Sequence, residues 1–487
     1  MANTFDLGRV RGKDYVLTEA DRHVIAQKVV PNATAEAVSL IDAYYGYEGD
    51  NDILGLQVDY ENKKFTRLAG AVGLEAGDDF DQFPMYGGIK RCNISNNGII
   101  KAYYGDASYK DSGSNGQVMV YVPKFYYKVV PFKLDKNTDT NIGYHIRKAN
   151  YYITDKQKVG FKLHPAFYDE NGNELEYFLY SAYEGSLWRS AASTYYNDAY
   201  HTSKTLYDND LICSEAGRKP ISGQNIPLTF TRAETYCSNR GNGWHCETIQ
   251  SLSALQFLMM IEYGTMNLQG ALGQGVSYIT INDGLGYNIS ALTGATTNLG
   301  NKSGNAASTQ FDYINPTTLE RVQETRTGAR ERSFSYRGIE NPYANLNKYT
   351  QGINIYGNKT MGHGQFYICT DFKYNPLSHS GNYEPTGFTV PNSSANYVTA
   401  LGYGNEKYDW VLLPSESSEN GNSSLPIGDK WYPSSVEQVN GHLIMRHGLT
   451  WNYGYACGMF AGASTTSYTT SGGATGCRLI YLPQTNA

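Results

Sequence analysis

The chain has 487 residues, a formal net charge of −6 and no basic block, which argues against nucleic acid as a partner. Forty per cent of residues are hydrophobic and 18% are charged, the balance of a folded chain, and the length predicts two or three domains. No apolar run reaches transmembrane length and the first residues lack a signal-peptide core, so folding in a cytosol without membrane insertion is expected.

Thr18–Val30 predicts a short helix, with Thr18 as its cap and Pro31 as its stop. Its narrow stripe of Val24, Ile25 and Val29 suits helix packing in an oligomer as well as packing on its own chain. Residues 52–130 read as β-rich. Leu54 to Leu68 alternates around a turn at Asn62-Lys63-Lys64, and Val118–Val122 and Phe125–Val130 are strands interrupted by Pro123. Two helices follow, Thr231–Arg240 before Gly241 and Gln250–Tyr263 before Gly264, the second with an apolar face of Leu252, Leu255, Leu258 and Met259. Beyond residue 265 the chain turns rich in Gly, Asn, Ser and Thr, and long irregular loops are expected. The 51 Gly and 43 Tyr suit either a β-rich protein or a partner-facing surface, because Tyr joins a flat apolar body to a polar tip. The seven cysteines, Cys92, Cys213, Cys237, Cys246, Cys369, Cys457 and Cys477, include no Cys-x-x-Cys pair and read mainly as buried thiols.

Three segments carry a family resemblance. Ser335-Tyr336-Arg337-Gly338-Ile339-Glu340-Asn341-Pro342-Tyr343-Ala344-Asn345 resembles the RGIENPWGN signature of formylglycine-generating-enzyme-like domains, a branch of the C-type lectin fold. Tyr408 to Glu416, then Ser424 to Asp429, resembles the segment before the terminal loop in phage-encoded members. Trp451-Asn452-Tyr453-Gly454, Cys457 to Phe460 and Gly476-Cys477-Arg478-Leu479 resemble the variable region of proteins diversified by retroelements, a group that includes phage major tropism determinants. More loosely, Asp14 to Lys28, Phe83 to Gly88 and Tyr121 to Tyr127 are similar to segments of tail-fibre proteins. One departure is the polar run Tyr343 to Tyr349, where the family has aromatic residues.

The resemblance implies an α+β chain with a C-terminal C-type lectin fold carrying long irregular loops, preceded by a short helix and a β-rich region. Residues 1–40 would attach to the virion or oligomerise, 41–115 form the β-rich domain, and 116–487 the ligand-binding domain, with a variable region at about 446–482. It implies a homotrimeric tail-fibre tip adhesin, made in a host cytoplasm and carried on the virion. Its partners would be phage tail or baseplate proteins and a bacterial surface protein or glycan. It implies no enzyme activity and no cofactor; a structural calcium ion held by loop carbonyls is compatible with the fold and leaves no sequence signature.

From Leu449 to Gly476 there is no charged residue, and Arg446 and Arg478 flank the stretch. Its small hydroxylic side chains lack the apolar mass to drive their own burial, so a scaffold must hold them. Trp451, Phe460, Cys477 and Arg478 are the expected scaffold. Asn452, Tyr453, Tyr455, Ala461, Ala463, Thr465, Thr466, Tyr468, Thr470, Ser471 and Gly473 are the expected ligand-binding face. As the family implies, retroelement diversification acts on adenines of Asn-type codons, and positions 461–474 hold only residue types reachable that way. The absence of charge points to recognition by shape and hydrogen bonding. From Cys477 to Leu482 the chain becomes an apolar strand that closes the region.

Enzymatic readings find less support. Cys457 and Cys477 lie far apart in sequence, without the close thiol pair an oxidase needs. The alternatives are a non-diversified structural tail subunit and a tail-associated glycan hydrolase; the hydrolase needs two carboxylates across a cleft, and Glu48, Asp50, Asp52, Glu75, Asp78, Asp79 and Asp81 are candidates but read as solvated loops. His363, Cys369, Asp371 and His379 match no zinc spacing, His245-Cys246-Glu247 is equally weak, and Gly270, Gly273 and Gly275 follow a helix rather than opening one.

Overall fold

The computed structural model describes residues 35–196, 206–222, 228–279, 289–307, 310–315, 318, 320–358, 361–391, 395–433 and 441–484. The expected helix at 18–30 lies outside them. In chain order, helix α1 (Ala35–Tyr45) precedes a hairpin of β1 (Ile53–Asp59) and β2 (Lys64–Ala69). The hairpin closes where Asp59 accepts hydrogen bonds from the backbone and side-chain amides of Asn62, both at 2.9 Å, and Lys63 takes φ 53°. β3 (Lys90–Ile94), β4 (Ile100–Tyr103), β5 (Gln117–Pro123), β6 (Tyr126–Lys136), β7 (Tyr144–Thr154) and β8 (Tyr177–Ser181) come next. Pro123 ends β5, as a residue without an N–H should.

Helix α2 (Phe230–Ser238) is capped by Thr229 and leads through β9 (Trp244–Cys246) into helix α3 (Ile249–Tyr263). α3 starts with a reciprocal Thr248–Ser251 capping box and ends at Gly264 in the left-handed conformation, φ 64°. The sequence predicted one apolar face on α3. Instead every residue from Ile249 to Glu262 is buried, polar ones included. Polar groups there meet specific partners: Ser253 donates to the Trp410 carbonyl at 2.5 Å and Gln256 to the Met459 carbonyl at 3.0 Å.

The region beyond residue 265, expected to be mainly irregular, carries strands. They include β10 (Asn347–Asn358), β11 (His363–Cys369), β12 (Tyr383–Thr389), β13 (Asn396–Tyr403), β14 (Lys430–Pro433), β15 (Gly441–Gly448), β16 (Gly458–Thr466), β17 (Thr475–Gly476) and β18 (Leu479–Tyr481). Helix there is confined, among the described residues, to Leu268–Ala271 and single 3-10 turns. The chain is therefore α+β, mostly strand with a few helices. Among the described residues no helix is long and apolar enough to cross a membrane.

The largest sheet runs β2-β1-β7-β13-β14-β16-β15-β10-β11-β12. A second runs β9-β18-β8-β5-β3-β4. Both cross the domain boundary expected at 115/116: β1 pairs with β7 in the first and β3 with β5 in the second. One apolar core likewise spans Ala43 to Leu482. Residues 41–115 thus share their sheets and core with the C-terminal part of the chain.

The Ser335–Asn345 segment is structural throughout. Arg337 grips Glu262 of α3 through two 2.8 Å contacts and Asp81 through a third at 2.6 Å. Glu340 accepts from the backbone of Gly294 (2.8 Å) and Thr296 (2.7 Å). Arg337, Asn341, Ala344 and Asn345 all sit at positive φ, a bend that these contacts hold in place. The polar departure after it is absorbed too: Lys348 is buried against Glu184 at 3.0 Å, and Tyr343, Leu346 and Tyr349 are core.

Candidate functional site

The stretch from Trp451 to Gly476 is built on β15, β16 and β10. Trp451 is buried; its N–H donates to the Asn345 carbonyl at 3.2 Å and its carbonyl accepts from Ile279 at 2.7 Å. A 3-10 turn at Gly454–Ala456 comes next, with the Gly454 N–H on the Ser277 carbonyl at 2.7 Å. The Cys457 thiol is buried and donates to the Thr450 carbonyl at 3.2 Å. β16 then runs parallel to β14 and antiparallel to β15. Its entry is fixed by Asp429, which is buried and accepts the Phe460 N–H at 2.7 Å; burial raises that carboxyl well above its ordinary value.

After β16 the chain turns over residues 467–474, where Ser467 and Thr470 close a tight turn at 3.1 Å. It re-enters the large sheet as β17, parallel to the start of β10. Cys477 and Arg478 then switch it into the second sheet as β18. Arg478 is fully buried and donates to the carbonyls of Ser181 (3.1 Å), Asn341 (2.8 Å) and Glu340. The expected scaffold residues Trp451, Phe460, Cys477 and Arg478 are all buried.

Of the expected face, Asn452, Tyr453, Tyr455, Thr465 and Thr470 are exposed, and Thr466, Tyr468, Ser471 and Gly473 are half-buried. Ala461 and Ala463 are not on the surface, at 1% and 4% exposure. They belong to β16, an interior strand rather than a loop. Their neighbour Gly462 faces the Trp431 ring and the Arg446 carbonyl where a Cβ would stand. No side chain fits at Gly462 without a shift of its neighbours, and Ala461 and Ala463 on either side of it point to the opposite face of the strand, also buried. Tyr468 also packs on the second apolar core.

The fold adds residues to this face that the linear reading missed. Tyr432 meets Tyr453 edge-on, ring centroids 5.2 Å apart. Arg446 donates to the Thr465 hydroxyl at 3.1 Å and the Thr475 hydroxyl at 3.2 Å. Arg330 lies over Tyr278 and Tyr455, at 4.5 and 4.3 Å from the ring centroids. The segment without charge in sequence is therefore bordered by two guanidinium groups in space. Arg446 already flanks the stretch in sequence, but no local pattern signalled Arg330, which the pairing of Val276 with Glu331 brings there.

Beneath the face lies a buried polar cluster. Glu247 lies 3.4 Å from His447 and accepts from the Tyr180 hydroxyl at 3.0 Å. Burial pushes the Glu247 carboxyl up to about 8 and the His447 imidazole well below its usual value. Both are thus mainly neutral near pH 7, a close polar contact rather than an ion pair. The seven cysteines are free and buried. Although far apart in sequence, Cys477, Cys237 and Cys246 share the second apolar core; the two neighbouring thiols hold Cys477 below its ordinary value, while burial raises those two. All three side chains are enclosed, without a path for a substrate.

The candidate hydrolase carboxylates do not face one another. Glu75, Asp78, Asp79 and Asp81 all stand exposed on one stretch of chain, and Asp52 pairs with Lys156 and Lys158. An open cleft of about 590 Å³ is lined by Asp111, Asp312 and Glu331, but their oxygens are already held by Tyr183, Arg321 and Arg326. Cys369 contacts Asp371 at 3.5 Å, whereas His379 pairs with His442 at 2.9 Å. Among the described residues no three His, Cys, Asp or Glu side chains converge as metal ligands. Gly270 lies in the helical turn 268–271, beside Asn267.

No protein-family model and no curated protein matches this chain.

Proposed function

We propose that this chain is a phage receptor-binding protein, the adhesin at a tail-fibre tip, whose C-terminal part adopts a C-type lectin fold of the formylglycine-generating-enzyme-like branch. It binds a bacterial surface molecule through the face of Asn452, Tyr453, Tyr455, Thr465, Thr466, Tyr468, Thr470, Ser471 and Gly473, and is not an enzyme. The carrying observation is the partition within residues 451–478. Large or charged anchors are buried there, while exposed positions carry Tyr, Asn and hydroxyl side chains. Such a division suits a site whose surface varies while its support does not.

The virion carries the chain as a homotrimer attached through residues 1–40 to tail or baseplate proteins. Several copies multiply a modest single-site affinity by avidity. Ala461 and Ala463 drop out of the variable set and join the support. The purified protein, added in excess to host cells, should block adsorption of the virion that encodes it. A folded protein that neither binds those cells nor competes would contradict the reading. Diversification has its own test: a near-copy of the 451–476 coding stretch, differing at adenines and lying beside a reverse transcriptase gene. Without such a repeat, the diversification claim falls while the adhesin claim stands.

A further inference from the structure

Arg330 is set up as a fixed cation at the border of this face, beside Tyr278 and Tyr455. Its carbonyl accepts from the backbone of Ser277 (2.9 Å) and Tyr278 (3.0 Å), which ties it to the same segment that holds Trp451 and Gly454. Its guanidinium lies over both the Tyr278 and Tyr455 rings, which are 48% and 44% exposed. A Cβ on Gly454 would lie 3.4 Å from its Nη1, so the guanidinium abuts the backbone between Tyr453 and Tyr455. Arg326 and Arg337 pair with carboxylates of the protein, and both terminal nitrogens of Arg446 donate to threonine hydroxyls. Among the described residues, no acceptor pairs with the side chain of Arg330. Stacking fixes the plane of a guanidinium and leaves its N–H edge free for a planar, bidentate acceptor.

The surroundings select the kind of molecule that brings this acceptor. A protein partner normally seats an apolar or aromatic anchor in a desolvated centre. Here the large apolar residues, Trp451, Met459 and Phe460, are buried at 3%, 0% and 2% exposure. What remains exposed is tyrosine rings and hydroxyls, a surface that matches the C–H faces and hydroxyl groups of sugars. Resting on the adhesin reading above, we infer that Tyr278, Arg330 and Tyr455 form a subsite for the carboxylate of an acidic saccharide, a uronic or sialic acid unit of a surface polysaccharide. Arg330 takes the carboxylate, and Tyr278, Tyr455 and Tyr453 flank the ring. Tyr278 and Arg330 lie outside the variable stretch, so the acid requirement persists while residues 452–473 change the fine preference.

The test titrates the full chain with oligogalacturonate, oligoglucuronate and oligosialate hexamers, each beside its carboxyl-reduced counterpart, and with a polyglutamate peptide. At least one acidic sugar should bind about tenfold or more tighter than its reduced form, an advantage that shrinks as salt rises. Arg330→Ala should reduce that binding to the level of the neutral sugar, and Arg330→Lys should restore only part of it. If Arg330→Ala lowers the melting temperature, Arg330→Lys carries the comparison. Equal binding of acidic and reduced sugars, binding of polyglutamate alone, no binding across the sugar panel, or an affinity indifferent to Arg330 would each overturn the subsite. Host-cell binding separates the two claims. If Asn452→Ala with Tyr453→Ala abolishes it while Arg330→Ala does not, the adhesin reading stands and the subsite falls.

Discussion

At the scale of single residues, side chains near the C-terminus divide by what their removal leaves behind. Arg478 was legible as a family marker, and its burial explains why: three backbone carbonyls depend on it, and it lies 5.6 Å from the Tyr180 ring. Arg478→Ala strands those carbonyls in the core and should cost about 3–5 kcal/mol in urea unfolding. Arg478→Lys should recover little, since an ammonium cannot span the fork. Asn452→Ala, on exposed surface, should change stability by no more than about 0.5 kcal/mol. Arg330 and Arg446 show the limit of linear reading. Arg446 flanks the uncharged stretch in sequence, whereas nothing around Arg330 connects it to that stretch, because its place there depends on contacts with distant chain.

At the scale of elements, α3 was readable because its punctuation is local: a capping threonine, an apolar run and a closing glycine. Its complete burial was not readable, since the partners of Ser253, Gln256 and Glu262 come from distant segments. β16 was missed for a different reason. A strand covered on both faces by large neighbours can be built from glycine, alanine and serine, without the β-branched alternation that identifies strands. Gly462 is accordingly a packing position. Gly462→Val should destabilise the chain by about 1–3 kcal/mol or more, because the Trp431 ring and the β15 backbone occupy the space. Thr465→Val, at the exposed end of the same strand, should leave the unfolding midpoint nearly unchanged. Equal effects at the two positions would show that β16 is not an interior strand.

At the scale of the whole molecule, sheets shared between the first strands and the last make the chain's stability common property, down to the protonation of its core. Between its ordinary value of 4.5 and about 8, Glu247 keeps a proton in the folded state that the unfolded chain releases. Its contribution is therefore complete at low pH and is lost as pH rises toward and through 8, at a rate of at most about 1.4 kcal/mol per pH unit. Against Glu247→Gln, the native chain should lose melting temperature as pH goes from 5.5 to 8.5; parallel profiles would place the carboxyl in a solvated setting. His164 acts in the opposite sense. Burial lowers it to about 3, so it favours unfolding as pH falls below 6.5.

The proposed recognition role of this tyrosine- and hydroxyl-rich face is tested most directly by one measurement. Asn452, Tyr453 and Tyr455 are replaced together by alanine, and host-cell binding and thermal unfolding are measured on the same preparation. The expected result is that cell binding is lost while the melting temperature stays with that of the native protein. Retained binding, or a collapse of stability with its loss, would show that these exposed residues are not the receptor-binding face.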